Sequence, residues 1–409
     1  MANVDAVPAP EVGVIRAATI RGAEGFFRAA QDAVGRWWVL TPAGEPCFVK
    51  CVHGVRLAGG QGDGALPLDS AARLRAWRFN AVGVSAGTVG RDDGLPFMAL
   101  ADFARVGRQL VAPGLRLPDV FDPDWPLLAG HHAAVMAGPL QSCHDLIGWV
   151  TDDRLGWAQP AGTGRPSLLQ LCLSLEPSFA AYHAAWEFAL ALHGGRIETL
   201  ARAWGTVLPN KEVVRELTRA EIGLGTRGYL RDDARWTQEF ARRYFTSTAA
   251  ALRAADPNHL VLGCRFDGLV GPQVLSACVY PAVDVAMPDW RELPAPGNGP
   301  AGSPFLAGDV YWATPEFLKL PTAARVLRLT SVEWMLRRGR TSLERTARHP
   351  AVVGYAWSQW QDEPGEQPPF ARGLVHVNGA EAREHTELLT QFNVRAESLR
   401  HAASSFVSS

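Results

Sequence analysis

The chain has 409 residues, 47% of them hydrophobic, enough for a substantial core in one large domain or two ordinary ones. A formal net charge of −1 gives no electrostatic basis for binding nucleic acid or an anionic membrane surface. No apolar run approaches the length of a membrane span, and the first thirteen residues lack the basic and apolar regions of a signal peptide, so the sequence reads as cytoplasmic.

In chain order, a polar, Pro-containing leader precedes Gly35–Leu40 and Pro46–Val52, which flank the turn Thr41-Pro42-Ala43-Gly44-Glu45. This predicts a hairpin whose second arm continues into a longer strand. Further strands are predicted at Ala81–Val84, Pro96–Leu100, Leu146–Val150, Leu260–Cys264, Val283–Met287, Val326–Val332 and Val352–Trp357. Helical patterns at Asp69–Arg78, Pro123–Ala137 and Thr341–Arg348 fall between them. Alternation of strand and helix means a parallel sheet with crossovers, and eight strands over this length favour an α/β fold of the (β/α)8 TIM-barrel type. An open doubly wound sheet is the other arrangement considered. It would be favoured by a phosphate-binding turn, whereas Gly59–Gly64 reads as a flexible loop after the first strand.

The crossover after the fourth strand is much the longest. Residues 155–258 hold helical patterns at Ser178–His193, Glu198–Trp204, Lys211–Glu221 and Asp232–Ala255 and are read as a helical elaboration of a single domain spanning 1–409. Residues Pro288–Pro304 are a Pro/Gly-rich mouth loop, and 402–409 a disordered tail. Asp92-Asp93 and Asp232-Asp233 look like turn and N-cap residues.

The six cysteines are scattered through apolar runs, the pattern of reduced buried thiols. Cys47 and Cys51 lack zinc spacing, and His131-His132 has no carboxylate at ligand spacing, so no metal and no cofactor are expected. Fourteen Trp against six Tyr suits core packing for the majority and stacking on sugar rings for the remainder.

Two of the apolar strands run out into charge. Leu146–Val150 opens into Thr151-Asp152-Asp153-Arg154, and Val326–Val332 ends at Glu333. Polar side chains at the C-terminal ends of parallel strands build barrel active sites, and carboxylates there suggest glycoside chemistry.

A family resemblance rests on Gly35-Arg36-Trp37-Trp38, Phe79-Asn80-Ala81-Val82-Gly83, Asp119-Val120-Phe121-Asp122-Pro123, Asp256-Pro257-Asn258-His259-Leu260, Leu262-Gly263-Cys264-Arg265-Phe266 and Gly354-Tyr355-Ala356-Trp357. In this order the chain, from about Gly35 to about Arg400, resembles the agarase-type family of retaining glycoside hydrolases, within the (β/α)8 clan that also holds many β-galactosidases. The resemblance implies an acid/base Glu ending strand four and a nucleophilic Glu ending strand seven. Glu333 matches the nucleophile. Where the family reads Asp-Asn-Glu-Leu-Gly-Trp, this chain has Asp152-Asp153-Arg154-Leu155-Gly156-Trp157, so Arg154 stands at the acid/base position. A family Asn-x-Tyr element appears here as Asp289-Trp290-Arg291. Trp357 is implied as a sugar platform, with the Trp357–Ser358 peptide in cis. Asp152, His53, Arg265, Gln359 and Trp360 are the further candidates for binding sugar hydroxyls or faces.

Arginine keeps its proton, with a pKa above about 12, and cannot serve as the acid. That step is typically worth about 10²–10⁴-fold. Two function classes therefore stand: a carbohydrate-binding barrel in which ordinary hydrolysis of β-linked, galactoside- or agarose-type saccharides is weak or lost, and a retaining β-glycosidase with a relocated acid such as Asp153, Glu363 or Glu366. The expected partner is a saccharide. The sequence does not determine the sugar or the oligomeric state.

Overall fold

The computed structural model describes residues 14–55, 70–85, 94–112, 115–157, 167–219, 225–266, 268–298, 302–312, 332–365 and 371–402. The Gly59–Gly64 loop, Asp92-Asp93, Glu221, Glu366, residues 403–409 and nearly all of the predicted strand Val326–Val332 lie outside them.

The expected hairpin forms. Strand β1 (Arg28–Gln31) joins β2 (Trp37–Leu40) and β3 (Pro46–Cys47) in an antiparallel sheet, and after Phe48 the second arm continues as β4 (Val49–Val52). Strand β4 lies inside a seven-stranded parallel sheet. Its other members are β5 (Ala81–Val82), β6 (Phe97–Leu100), β9 (Leu146–Val150), β10 (Leu260–Val261), β11 (Phe305–Val310) and β12 (Val352–Trp357), in the order β10-β9-β6-β5-β4-β12-β11. A separate hairpin, β7 (Gln109–Ala112) with β8 (Leu115–Pro118), follows β6.

The parallel strands are buried on both faces, which is why they read as unbroken apolar runs rather than alternating ones. Gly148 in β9 allows a close approach of β10: a Cβ there would sit 2.4 Å from the Leu260 carbonyl oxygen. The segment 283–289 runs between the two edge strands. Asp284 N–H donates to the Val261 carbonyl (2.8 Å), while the amides of Leu306 (2.8 Å) and Gly308 (2.7 Å) donate to the carbonyls of Ala286 and Pro288. This predicted sixth strand thus pairs through single bridges, Ala286 with Phe305 and Asp289 with Gly308, rather than as a continuous ladder.

The seventh strand differs from expectation. The strand paired directly to β12 is β11, Phe305–Val310. Val332 and Glu333 instead open the helix Val332–Arg348, which starts nine residues before the predicted Thr341. FLAGDV directly follows the Pro/Gly-rich run Pro288–Pro304, and the sequence reading gave it no element, placing the seventh strand at VLRLTSV.

Helices α1 (Ser70–Ala76) and α2 (Trp125–Ala137) follow β4 and β8. The long crossover holds α3 (Leu168–Ser174), α4 (Ala180–Leu192), α5 (Ile197–Trp204), α6 (Lys211–Arg219) and the 29-residue α7 (Arg227–Ala255). The α7 N-cap is Thr226, whose hydroxyl accepts from Tyr229 N–H. Asp232 is therefore not a cap. It is buried in the helix, accepting from the Trp204 indole (2.9 Å) and bonded to His193 Nε2 (2.6 Å), and it ties α5 and the end of α4 to α7. Helices α8 (Gly271–Ala277), α9 (Val332–Arg348) and α10 (Arg383–Ala402) are the α-helices that follow α7 among the described residues.

Several residues that carried the family resemblance are structural fasteners. Asn80 accepts from Lys50 N–H and donates to the Phe48 carbonyl, and Asp119 accepts from the amides of Phe121 and Ala181. Asp256 turns α7 into β10 while accepting from the Trp149 indole (2.8 Å) and bonding His259 Nδ1 (2.7 Å). All six cysteines are free.

Candidate active site

The C-terminal ends of the parallel strands carry a connected set of charged side chains. Past β9 the chain stays paired to the segment after β10: Thr151 N–H donates to Gly263 C=O, Arg265 N–H to Asp152 C=O and Leu155 N–H to Arg265 C=O. Between those contacts the backbone is kinked, with Arg154 at φ 54° in the left-handed region that non-glycine residues seldom occupy. The kink sends three consecutive side chains in different directions.

Asp152 turns inward. One oxygen accepts from Ala104 N–H at 2.6 Å, while Oδ2 is buried with no hydrogen-bond partner. Burial pushes this carboxyl well above the usual carboxylate range, helped by the charges of Asp102 and Asp153. Asp153 accepts from Arg265 Nη1 at 2.8 Å. Arg154, about half exposed, reaches across to Glu363 beyond β12, with Nη1 at 3.4 Å from Oε1.

Arg265 is the hub. Besides Asp153 it binds one oxygen of Asp309, from Nε at 3.0 Å and Nη2 at 2.8 Å, and Nη2 also donates to the Ser358 carbonyl at 2.8 Å. One guanidinium thus joins the ends of β9, β10, β11 and β12. Asp309 sits at φ 47°, where the β11–β12 register shifts between Ala307 and Val310. Burial raises its carboxyl, and Arg265 opposes that rise.

His53 follows β4 and is fully buried. Its Nδ1 accepts from Val84 N–H at 3.0 Å, so Nε2 carries the ring proton of the neutral form, and Nε2 has no hydrogen-bond partner. Burial and then the Arg265 charge depress its pKa, which keeps the ring neutral. Gly83 makes room for this ring: a Cβ there would lie 2.5 Å from Nδ1.

The aromatic candidates fall elsewhere. Trp357 and Trp360 are 1% and 3% exposed and pack in the core, Trp357 against Trp312 and His385, Trp360 against Trp77. The Trp357 indole donates to the Arg372 carbonyl at 2.8 Å. Among the described residues the one cis peptide is Tyr280–Pro281, so the expected cis bond after Trp357 is absent and Trp357 presents no open face. Six side chains in a row are buried in β12, and the strand end is enclosed by β13 (Gln359–Gln361) and β14 (Gly373–Val375). Gln359 is half-buried on β13.

Glu333 lies in the first turn of α9 and is exposed. The resemblance, which puts positions 154 and 333 at neighbouring strand ends, implies a contact of Arg154 with Glu333, or with Asp152 if the side chain folds back; neither forms, and Arg154 pairs with Glu363. Sequence reasoning missed Asp309, Tyr311 and Arg372. The strand FLAGDV running into Tyr-Trp was the available signal for the first two. Arg372 had none, because only the β13–β14 ribbon brings it to this rim.

Among the described residues no group of three His, Cys, Asp or Glu side chains is arranged to hold a metal ion, and no helix is long and apolar enough to cross a membrane.

In fold the chain is similar to solved structures of agarase-type glycoside hydrolases and of a β-galactosidase. In particular, the chain is similar to the solved structure of PfGH50B (TM-score 0.68, 17% identity, 93% of this chain and 68% of that one). It is similar also to the agarase AgWH50C (0.66, 17%, 93% and 66%) and to a β-galactosidase from Rahnella sp. R3 (0.50, 12%, 81% and 53%). The chain spans about two thirds of the length of the two agarase-type structures. No family model and no curated protein matches the sequence.

Proposed function

We propose that this chain forms a closed (β/α)8 barrel, with segment 283–289 as the sixth stave, that binds β-linked saccharides of the galactoside or agarose type at its mouth, with ordinary hydrolysis weak or lost. The observation that carries the reading is the fate of the carboxyls around Arg154. A retaining glycosidase needs two carboxyls about 5–5.5 Å apart, one as nucleophile and one as proton donor. Here the acid/base position holds a guanidinium. The neighbouring Asp153 is bound to Arg265, Asp309 is bound to the same Arg265, and Glu363 is ion-paired to Arg154 and Arg372. Each of these three carboxyls already serves a cation. Glu333, the expected nucleophile, is exposed on α9, which weakens the reading of an intact pair.

The test pairs binding with turnover. Calorimetry with galactobiose and agaro-oligosaccharides should show binding, while chromatography of the same mixtures shows the disaccharide intact. Cleavage of the disaccharide that disappears in Glu363→Gln or Asp153→Asn would establish a relocated acid and end the binding-only reading. Failure of every saccharide to bind would end the carbohydrate reading itself.

A further inference from the structure

Resting on that saccharide reading, we infer that the mouth selects an anionic sugar, a uronate carboxylate or a sulfate ester, seated between the guanidiniums of Arg154 and Arg372. Those two side chains come from opposite sides of the rim and meet on one carboxylate: Arg154 Nη1 is 3.4 Å from Glu363 Oε1, and Arg372 Nη2 is 3.8 Å from Oε2. Glu363 bridges two cations with its two oxygens, which is the geometry a ligand carboxylate or sulfate would take.

The bridge is loose. Charge-assisted contacts close to about 2.7–2.9 Å when the partners are free to optimise them, and Arg265 reaches 2.8 Å on both Asp153 and Asp309 in the same cluster. The Glu363 side chain is 52% exposed, and exposed ion pairs of this kind contribute little. Exchanging Glu363 for another anion between the two guanidiniums is therefore cheap, whereas the backbone that carries them is held in place. Arg154 sits on a kinked strand end locked by the backbone bonds of Arg265 and Leu155. The Arg372 carbonyl is held by the buried Trp357 indole, and the next residue, Gly373, donates to Asp362 Oδ1 at 2.6 Å. The Arg372 guanidinium lies 5.4 Å from the centre of the Tyr311 ring, and Arg291 also acts electrostatically on that phenol. Arg291 and Arg265 are clasped by Asp289 and Asp309, each from two guanidinium nitrogens. The exchangeable contact is the Glu363 bridge.

The experiment is calorimetric titration of the full chain with digalacturonate, a sulfated galactobiose, neutral galactobiose, and free acetate and sulfate. At least one anionic disaccharide should bind about tenfold tighter than the neutral one, the gain of one good charge-assisted contact, and salt should erode the difference. The comparison of digalacturonate with the sulfated sugar identifies which anion is preferred. Arg154→Asn, which keeps a residue tolerant of the left-handed backbone, and Arg372→Gln should each abolish the preference for the anionic sugar over the neutral one. Glu363→Gln should tighten the anionic sugar by removing its internal competitor. Equal binding of galactobiose would overturn the inference and leave the saccharide reading standing. Free acetate or sulfate binding as tightly as the sugars would overturn it as a general anion patch, and binding of no saccharide would overturn both.

Discussion

Arg265 donates from two of its nitrogens to a single oxygen of Asp309, at 3.0 and 2.8 Å, and this contact links the end of the fifth-position strand β10 to that of β11 across the intervening segment. Its third nitrogen holds Asp153, so two acids from different strands share one base. A side chain 9% exposed with this many partners is a fastener of the rim as well as a source of charge.

Arg265→Met should destabilise the protein by about 3–5 kcal/mol, because it leaves Asp309 and Asp153 without their cation in a poorly solvated place. Urea unfolding monitored by tryptophan fluorescence measures this. The double variant Arg265→Met/Asp309→Asn should recover part of the loss. A single variant within about 0.5 kcal/mol of the parent, the range of ordinary surface changes, would show that the hub contributes nothing to the fold.

Asp152 makes stability depend on pH in a defined direction. Its folded pKa is raised above the reference value of 3.8, chiefly by burial, so the folded state holds this proton more tightly than the unfolded state does. Its contribution is fully present below pH 3.8 and is lost as pH rises toward the folded pKa. Asp152→Asn cannot ionise, so the stability of the variant relative to the parent should increase with pH from about 4 upward. A difference that stays flat across that range would mean that the buried carboxyl is not held protonated.

Gly83→Ala should cost about 1–3 kcal/mol by overpacking, since the new methyl would meet His53 Nδ1 at 2.5 Å and the Val52 carbonyl at 3.0 Å. The ring must then turn and lose the Val84 N–H bond. Nitrogen-detected NMR of the imidazole reports the tautomer. An unchanged Nδ1 acceptor signal in the variant would contradict the packing argument.

Arg400 on α10 is fully buried and donates to the carbonyls of Trp37, Ala347, His349 and Pro350, with its guanidinium 4.8 Å from the centre of the Trp38 ring. Arg400→Leu removes the donor from four carbonyls, of which Pro350 keeps the Trp37 N–H (2.8 Å), and should cost about 3 kcal/mol or more, at the 1–3 kcal/mol typical of each unsatisfied buried group. Limited proteolysis should then release a C-terminal fragment cut between α9 and α10. Resistance equal to the parent would show that α10 docks without this residue.

The parallel sheet was legible because strands buried on both faces must be apolar along their whole length, and because helical periodicity separates them. Leu146–Val150 and Val352–Trp357 were therefore placed correctly, and four helices of the long crossover were found with shifted ends while α3 (Leu168–Ser174) was missed. The charges after β9 were legible too, since a polar run after an apolar one marks a strand end wherever it folds. Which strand neighbours which was not. The sequence placed the seventh strand at Val326–Val332 and passed over Phe305–Val310; only backbone pairing shows Phe305–Val310 beside Val352–Trp357, and Glu333 lies on a helix instead of at a strand end. Local pattern records what each segment buries, not what lies beside it. For the same reason the sequence named Arg154, Asp153, Arg265 and Glu363 without their pairing. Charges attract over distances that depend on the approach of residues up to about two hundred positions apart, as in Arg154 and Glu363, and that approach is set by the whole sheet.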